Sequence, residues 1–242
     1  MTTSAATSPA LATSQPAPAR PPLLQNGDHL TAAEFERRYS AMPNVKAELI
    51  EGVVYMASPV RGDFHGRQSV QISRWIGEYA DETPGVVGYG DSTVRLDRDN
   101  TVQPDAFLMI KLDGIGQSSF DSDGYLQGGP EFVVEISAST VSYDLHEKLR
   151  AYRRNGVLEY VVWRVEDDEI DWFILKDGKY VRQESNDGKH RSIKFPGLWM
   201  DAKALIRNDS KANIAYLREG LASPEHGAFV ERLAANSKPK EG

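Results

Sequence analysis

The sequence predicts a mixed α/β fold, a central mixed β-sheet flanked by helices. Two observations carry this. Helical patterns come first and midway along the chain, with most strand patterns between and after them. The stretch Pro130–Val165 then reads as strand, helix, strand, so that a helix crosses over between strands after Thr140.

Met1 to about Gly27 is rich in Ala, Thr, Ser and Pro and is too poor in apolar residues to bury a core; residues 1–28 are expected to be a disordered tail. The fold starts near "HLTAAEFERRYSAM", where Thr31 is a candidate N-cap and Glu34, three residues on, fits a capping box. Phe35 and Tyr39 share one face of that helix. "KAELIEGVVYMAS" reads as two short strands turning at Glu51-Gly52. Val70, Ile72, Trp75, Ile76 and Tyr79 give the next segment the spacing of an amphipathic helix, stopped at Pro84-Gly85. "GVVGYG", "STVRLD" and "TVQPDAFLMI" are strand-like, and Asp113–Gly129 reads as an exposed Gly/Ser/Asp-rich loop. After the strand in "PEFVVEISAST", "YDLHEKLRAYRRNG" reads as one helix with an apolar stripe of Leu145, Leu149 and Tyr152, ended by Gly156. "EYVVWRV", "EIDWFIL" and "KYVRQE" are strands, "KFPGLWM" a closing strand or turn, and "DAKALIR" onward helical.

With 242 residues, 40% hydrophobic and 26% charged, the chain has an ordinary globular balance. No apolar run approaches the roughly 20 residues of a membrane-spanning helix. The absence of cysteine excludes disulfides, thiolate zinc sites and cysteine nucleophiles. The N-terminus lacks a basic start followed by an apolar stretch, so a cytoplasmic protein is expected. A net charge of -7 argues against a basic coat for nucleic acid but leaves room for an acid-lined site.

Glu135 lies in the middle of an apolar strand, where an unpaired carboxylate costs several kcal/mol. Period-2 alternation puts Val133, Glu135 and Ser137 on one face and Phe132, Val134 and Ile136 on the other. Asp105 follows Pro104 in a second apolar stretch. If the two strands pair, their carboxylates converge, and two such acids plus a backbone carbonyl suit Mg²⁺ or Mn²⁺. Lys148 shares a helical strip with Asp144 and Tyr152 and is the third candidate; beside a metal-bound water, a lysine stabilises negative charge on a phosphate. Plainer readings stand beside these. Asp105 fits a turn former, Lys148 a surface partner of Asp144, His65 a helix cap and Glu48 an exposed strand acid.

Three stretches together resemble the Uma2 family (DUF820), a branch of the PD-(D/E)xK restriction-endonuclease-like nucleases. They are "ELIEGVVYMASP" with His65 after it, "QPDAFLMI", and "PEFVVEISASTVSYDLHEKLRAYRRNGVLEYVVWRV". The resemblance covers roughly Glu48 to Leu175 and implies a restriction-endonuclease-like domain over residues 29–207; residues 208–242 lie outside it and read as a helical extension with a disordered end. It implies Asp105 and Glu135 as the two acids. The superfamily pattern places a lysine two residues after the second acid, where this chain has Ser137; the lysine of the following helix, Lys148, takes that part. Glu48 and His65 match further polar positions near the site. Ala138 stands where the family usually has Pro, and the aromatic of its "EYW" is displaced to Trp163.

The function this implies is hydrolysis of DNA phosphodiester bonds by a Mg²⁺- or Mn²⁺-dependent endonuclease. Asp105, Glu135 and the Ile136 carbonyl would hold the metal, with Lys148, Glu48 and His65 completing the catalytic set. Double-stranded DNA is the implied partner, and a homodimer the implied assembly. Two alternatives remain: a catalytically silent, nuclease-like DNA-binding or regulatory module, and a carboxylate-pair hydrolase such as a glycosidase, which gives Lys148 no role.

Overall fold

Local chain chemistry sets the first elements of the computed structural model, which describes residues 20–56, 65–112, 114–138 and 140–236. Helix α1 (Ala32–Tyr39) has the expected N-cap, with Thr31 Oγ1 accepting from the Glu34 N–H at 3.4 Å, while the Glu34 carboxylate accepts from Arg37 and Arg38 rather than closing the expected capping box. Phe35 and Tyr39 stack at 5.3 Å. Strands β1 (Ala47–Ile50) and β2 (Val53–Met56) form a hairpin whose two-residue turn, Glu51-Gly52, has both φ angles positive (52° and 77°), as a turn matched to strand twist requires. Helix α2 (Arg67–Asp81) buries Ile72, Trp75, Ile76 and Tyr79. Val70, assigned to the same stripe, is instead 70% exposed. The helical repeat carries Gln68 and Gln71 to the buried side in its place.

After β3 (Val86–Gly90) and β4 (Val94–Asp97), the stretch read as one strand divides into β5 (Asn100–Val102) and β6 (Ala106–Ile110). Pro104 lies at the break and has no N–H to give to a ladder. The two pieces belong to different sheets, so the chain crosses between them at Gln103–Asp105. The loop expected over 113–129 contains two short strands, β7 (Ser119–Phe120) and β8 (Leu126–Gln127). Next come β9 (Phe132–Ser137) and two helices, α3 (Val141–Leu145) and α4 (Glu147–Arg154), in place of the single one expected; the chain breaks at His146 (φ -123°, ψ -76°). The buried residues of this pair are Asp144, Lys148, Ala151 and Tyr152, a largely polar stripe. Leu145 and Leu149 are only partly buried, because these helices cover acids as well as a core.

Strands β10 (Glu159–Arg164), β11 (Glu169–Lys176) and β12 (Lys179–Arg182) follow as expected. Then β13 (Lys189–Arg191), which carries no apolar alternation, pairs with β14 (Trp199–Asp201). The chain ends in α5 (Ala202–Ile206), α6 (Ser210–Leu221) and α7 (Pro224–Asn236).

The central sheet has the order β12-β11-β10-β9-β6-β3. Its β9 and β10 are parallel, joined by the α3–α4 crossover, and its other pairs are antiparallel. A second sheet runs β2-β1-β5-β4-β8-β7. The alternation of β9 divides two cores: Phe132, Val134 and Ile136 pack with Trp75, Trp172, Leu217 and Phe229, while Val133 packs with Tyr152, Tyr160 and Phe107. Leu24, within the stretch read as tail, is buried in a third core with Phe35, Leu49 and Val54. Residues 1–19 and 237–242 lie outside the described residues, as do the expectations of disorder made for them.

Candidate active site

The site lies where the central sheet runs out on its Val133 face. The β6–β9 ladder carries Ala106 opposite Val134. One step further, Asp105 stands opposite Glu135 on the same face, because facing residues of an antiparallel pair point the same way. The Ile136 N–H donates to Asp105 Oδ2 at 2.7 Å. A strand residue sends its N–H and C=O to the same side, so the Ile136 carbonyl is directed to the same opening.

Lys148 comes inward from α4 and is 6% exposed. Its Nζ is 3.0 Å from Glu135 Oε1, 3.0 Å from Glu48 Oε2 and 3.7 Å from Asp144 Oδ1. The reading of Lys148 as a surface lysine is therefore set aside. Glu48 reaches it from β1, held on its other oxygen by the Gln103 N–H at 2.6 Å. The crossing between sheets thus fixes Glu48 and Asp105 together. His65, just ahead of α2, is partly buried and places Nε2 2.9 Å from Asp105 Oδ1. It is neither a cap nor solvent-facing.

Two further side chains belong to this cluster. The Tyr152 hydroxyl donates to Glu135 Oε1 at 2.7 Å, and Thr140 Oγ1 donates to Asp144 Oδ2 at 2.6 Å. The strip Asp144, Lys148, Tyr152 was legible in the helical repeat. That Tyr152 turns its hydroxyl to the acids, and that Asp144 joins them, was not, since a tyrosine and an i,i+4 acid have ordinary places on any helix.

Burial pushes the Glu135 carboxyl well above its usual range; Lys148 opposes this, and the charges of Asp144, Asp105 and Glu48 add to it. Burial pulls Lys148 the other way, but the surrounding carboxylates outweigh it and hold the ammonium charged. Burial also pushes Asp105 up, yet the His65 ring and the Ile136 N–H outweigh it and leave the carboxyl below its usual value. The hydrogen bond that the His65 ring donates to Asp105 raises the imidazole above its usual pKa, against the opposing effect of burial.

Three carboxylates (Glu135, Glu48 and Asp144) thus surround one ammonium, and a fourth, Asp105, stands beside them paired with the His65 ring. This hard-oxygen, electron-rich donor set fits a divalent cation such as Mg²⁺ or Mn²⁺. Among the described residues, no three or more His, Asp or Glu side chains form a metal-holding group by themselves. The donors that fit are fewer: the facing carboxylates of Asp105 and Glu135 with the Ile136 carbonyl.

Comparison with known proteins gives the family and the fold. Residues 32–203 match the family model Uma2, described as "Putative restriction endonuclease". The chain belongs to the Uma2 family. The match spans the β1–β2 hairpin, both sheets and the acids with Lys148. Among solved structures, a "putative nuclease belonging to DUF820" from Anabaena variabilis is similar to the chain at 11% identity and a TM-score of 0.53, covering 74% of this chain and 97% of that one. That likeness concerns the mixed α/β fold. No curated protein matches the chain. Among the described residues no helix is long and apolar enough to cross a membrane.

Proposed function

We propose that this Uma2 member is a metal-dependent endonuclease that hydrolyses DNA phosphodiester bonds. The observation that carries the reading is the inward turn of Lys148 onto Glu135, 13 residues earlier in the chain. It supports a complete acid, acid, lysine set although the position two after Glu135 is Ser137. Asp105, Glu135 and the Ile136 carbonyl would hold Mg²⁺ or Mn²⁺. Bound there, the ion would supply a polarised phosphate and a water of lowered pKa. Lys148 would stabilise the negative charge that builds on the attacked phosphate. Glu48 and Asp144 hold that ammonium in place, and the His65 ring fixes Asp105. Hydrolysis then proceeds without a covalent enzyme intermediate. Double-stranded DNA is the substrate, cut by a homodimer that presents one site to each strand.

The test is cleavage of supercoiled plasmid in Mg²⁺ or Mn²⁺ by wild type, Asp105→Ala and Glu135→Ala, each checked for folding by circular dichroism. Wild-type nicking that both substitutions abolish is the expected result. Nicking that survives both removes the assignment. The net charge of -7 favours one second reading, a silent DNA-binding or regulatory module. It predicts no cutting by the wild type with any divalent ion.

A further inference from the structure

We infer that Tyr152 is a positioning residue for Glu135: its buried hydroxyl, with Lys148, occupies one oxygen of that carboxylate and so presents the other to the metal. The inference rests on the metal-dependent reading above.

Glu135 Oε1 accepts from Lys148 Nζ at 3.0 Å and from the Tyr152 hydroxyl at 2.7 Å. Among the described residues, neither donor and no other group makes a hydrogen bond to Oε2. Two donors on one oxygen fix the rotation of the carboxylate about its last bond. Lys148 alone is a poor anchor for that rotation, because its ammonium is shared with Glu48 and Asp144 and has a flexible stem. Tyr152 has no such freedom. It is fully buried, its ring lies 5.0 Å from that of Tyr160, and the Tyr160 hydroxyl donates to the Asp144 carbonyl at 3.0 Å, tying α3 to the same cluster. A phenol hydroxyl is also an uncharged donor. It therefore orients Glu135 without competing for the site as a cation would. Groups that orient a metal ligand through a hydrogen bond commonly account for 10–100-fold in metal affinity.

The experiment is calorimetric titration of Mn²⁺ into wild type, Tyr152→Phe and Tyr180→Phe. Tyr180 is a fair control: its hydroxyl also donates within the fold, to the Val157 carbonyl at 2.9 Å, but it touches no acid of the site. Tyr152→Phe is expected to weaken Mn²⁺ binding about tenfold, and Tyr180→Phe to leave it unchanged whatever either does to the melting temperature. If Tyr152→Phe does not fold, Tyr152→Met removes the hydroxyl with a more adaptable side chain and takes its place. Equal Mn²⁺ affinity in wild type and the Tyr152 variant overturns the inference and leaves the metal-dependent reading standing. Absence of Mn²⁺ binding by the wild type overturns both.

Discussion

Replacing Lys148 by Met should expose how the acid cluster is held together. The substitution keeps an unbranched chain in the same space and removes the ammonium that, among the described residues, pairs with Glu135, Glu48 and Asp144. Breaking a buried ion pair by removing one partner costs about 3–5 kcal/mol, because the other charge is left uncompensated. Glu48 is the most exposed of the three acids and recovers some solvation, which puts the expected cost near the lower end, about 3 kcal/mol. At roughly 2–4 °C per kcal/mol for a chain of this size, the melting temperature in chelator should fall by about 6–12 °C. Glu135→Gln alone should cost much less, since Lys148 keeps two carboxylates and the Tyr152 hydroxyl can still donate to the amide oxygen. The double variant Lys148→Met/Glu135→Gln should then be more stable than the sum of the single effects implies, by about 1–2 kcal/mol. Denaturant melts of the four proteins measure this coupling. Additive effects, or a Lys148→Met variant that melts within about 2 °C of wild type, less than the shift of 1 kcal/mol, would refute the idea that Lys148 balances Glu135.

Two further outcomes follow from the scaffold. Gly220 lies in α6, where a Cβ would come 2.3 Å from the Gly197 carbonyl oxygen and 2.7 Å from the Trp199 ring, so Gly220→Ala should cost about 1–3 kcal/mol despite the better helix propensity of Ala; Gly77 in α2 meets nothing within 4 Å, and Gly77→Ala should stabilise by about 0.5–1 kcal/mol, an opposite sign that thermal melts read directly. Burial pushes the His190 imidazole, stacked on Trp172, below its usual pKa, with Arg182 adding and Asp171 opposing. The unfolded chain therefore takes up the proton first as pH falls, so the stability from neutral His190 is full above the unfolded value of about 6.5. It is lost as pH drops through the lower folded value. The melting-temperature gap between wild type and His190→Gln should accordingly narrow from about pH 7.5 to about pH 5, on either side of that unfolded value, and a gap that widens would contradict the sign.

What could be read from the sequence was whatever local chemistry decides. The Thr31 cap, the Glu51-Gly52 turn and the alternation of β9 are each settled within a few residues, and each appears in the fold. Glu135 was legible for the same reason: a carboxylate among Phe132, Val133, Val134 and Ile136 needs a partner wherever the strand ends up. The misreadings came where distant packing decides. The stretch through Pro104 was read as one strand; that it breaks there, with β5 and β6 joining different sheets, goes with Gln103 meeting Glu48 across the crossing. The two-residue strands β7 and β8 owe their state to pairing with each other and, for β8, with β4, and β13, with its run of polar residues, to pairing with β14, rather than to pattern.

The break at His146 connects these scales. One continuous helix from Val141 would space Asp144, Lys148 and Tyr152 evenly along a single strip. The structure instead bends between Asp144 and Lys148, and all three side chains still turn toward the acids. A hydrophobic stripe would have fixed these helices against the sheet by area alone, without regard to the rotation of any one side chain. Here directional contacts contribute as well, from Tyr160 to the Asp144 carbonyl, from Tyr152 to Glu135, and from Lys148 to three carboxylates. Such contacts tolerate little displacement. The same interactions that dock the crossover therefore set the positions of Glu135 and Lys148, and a substitution that loosens the docking should disturb the site before it unfolds the sheet.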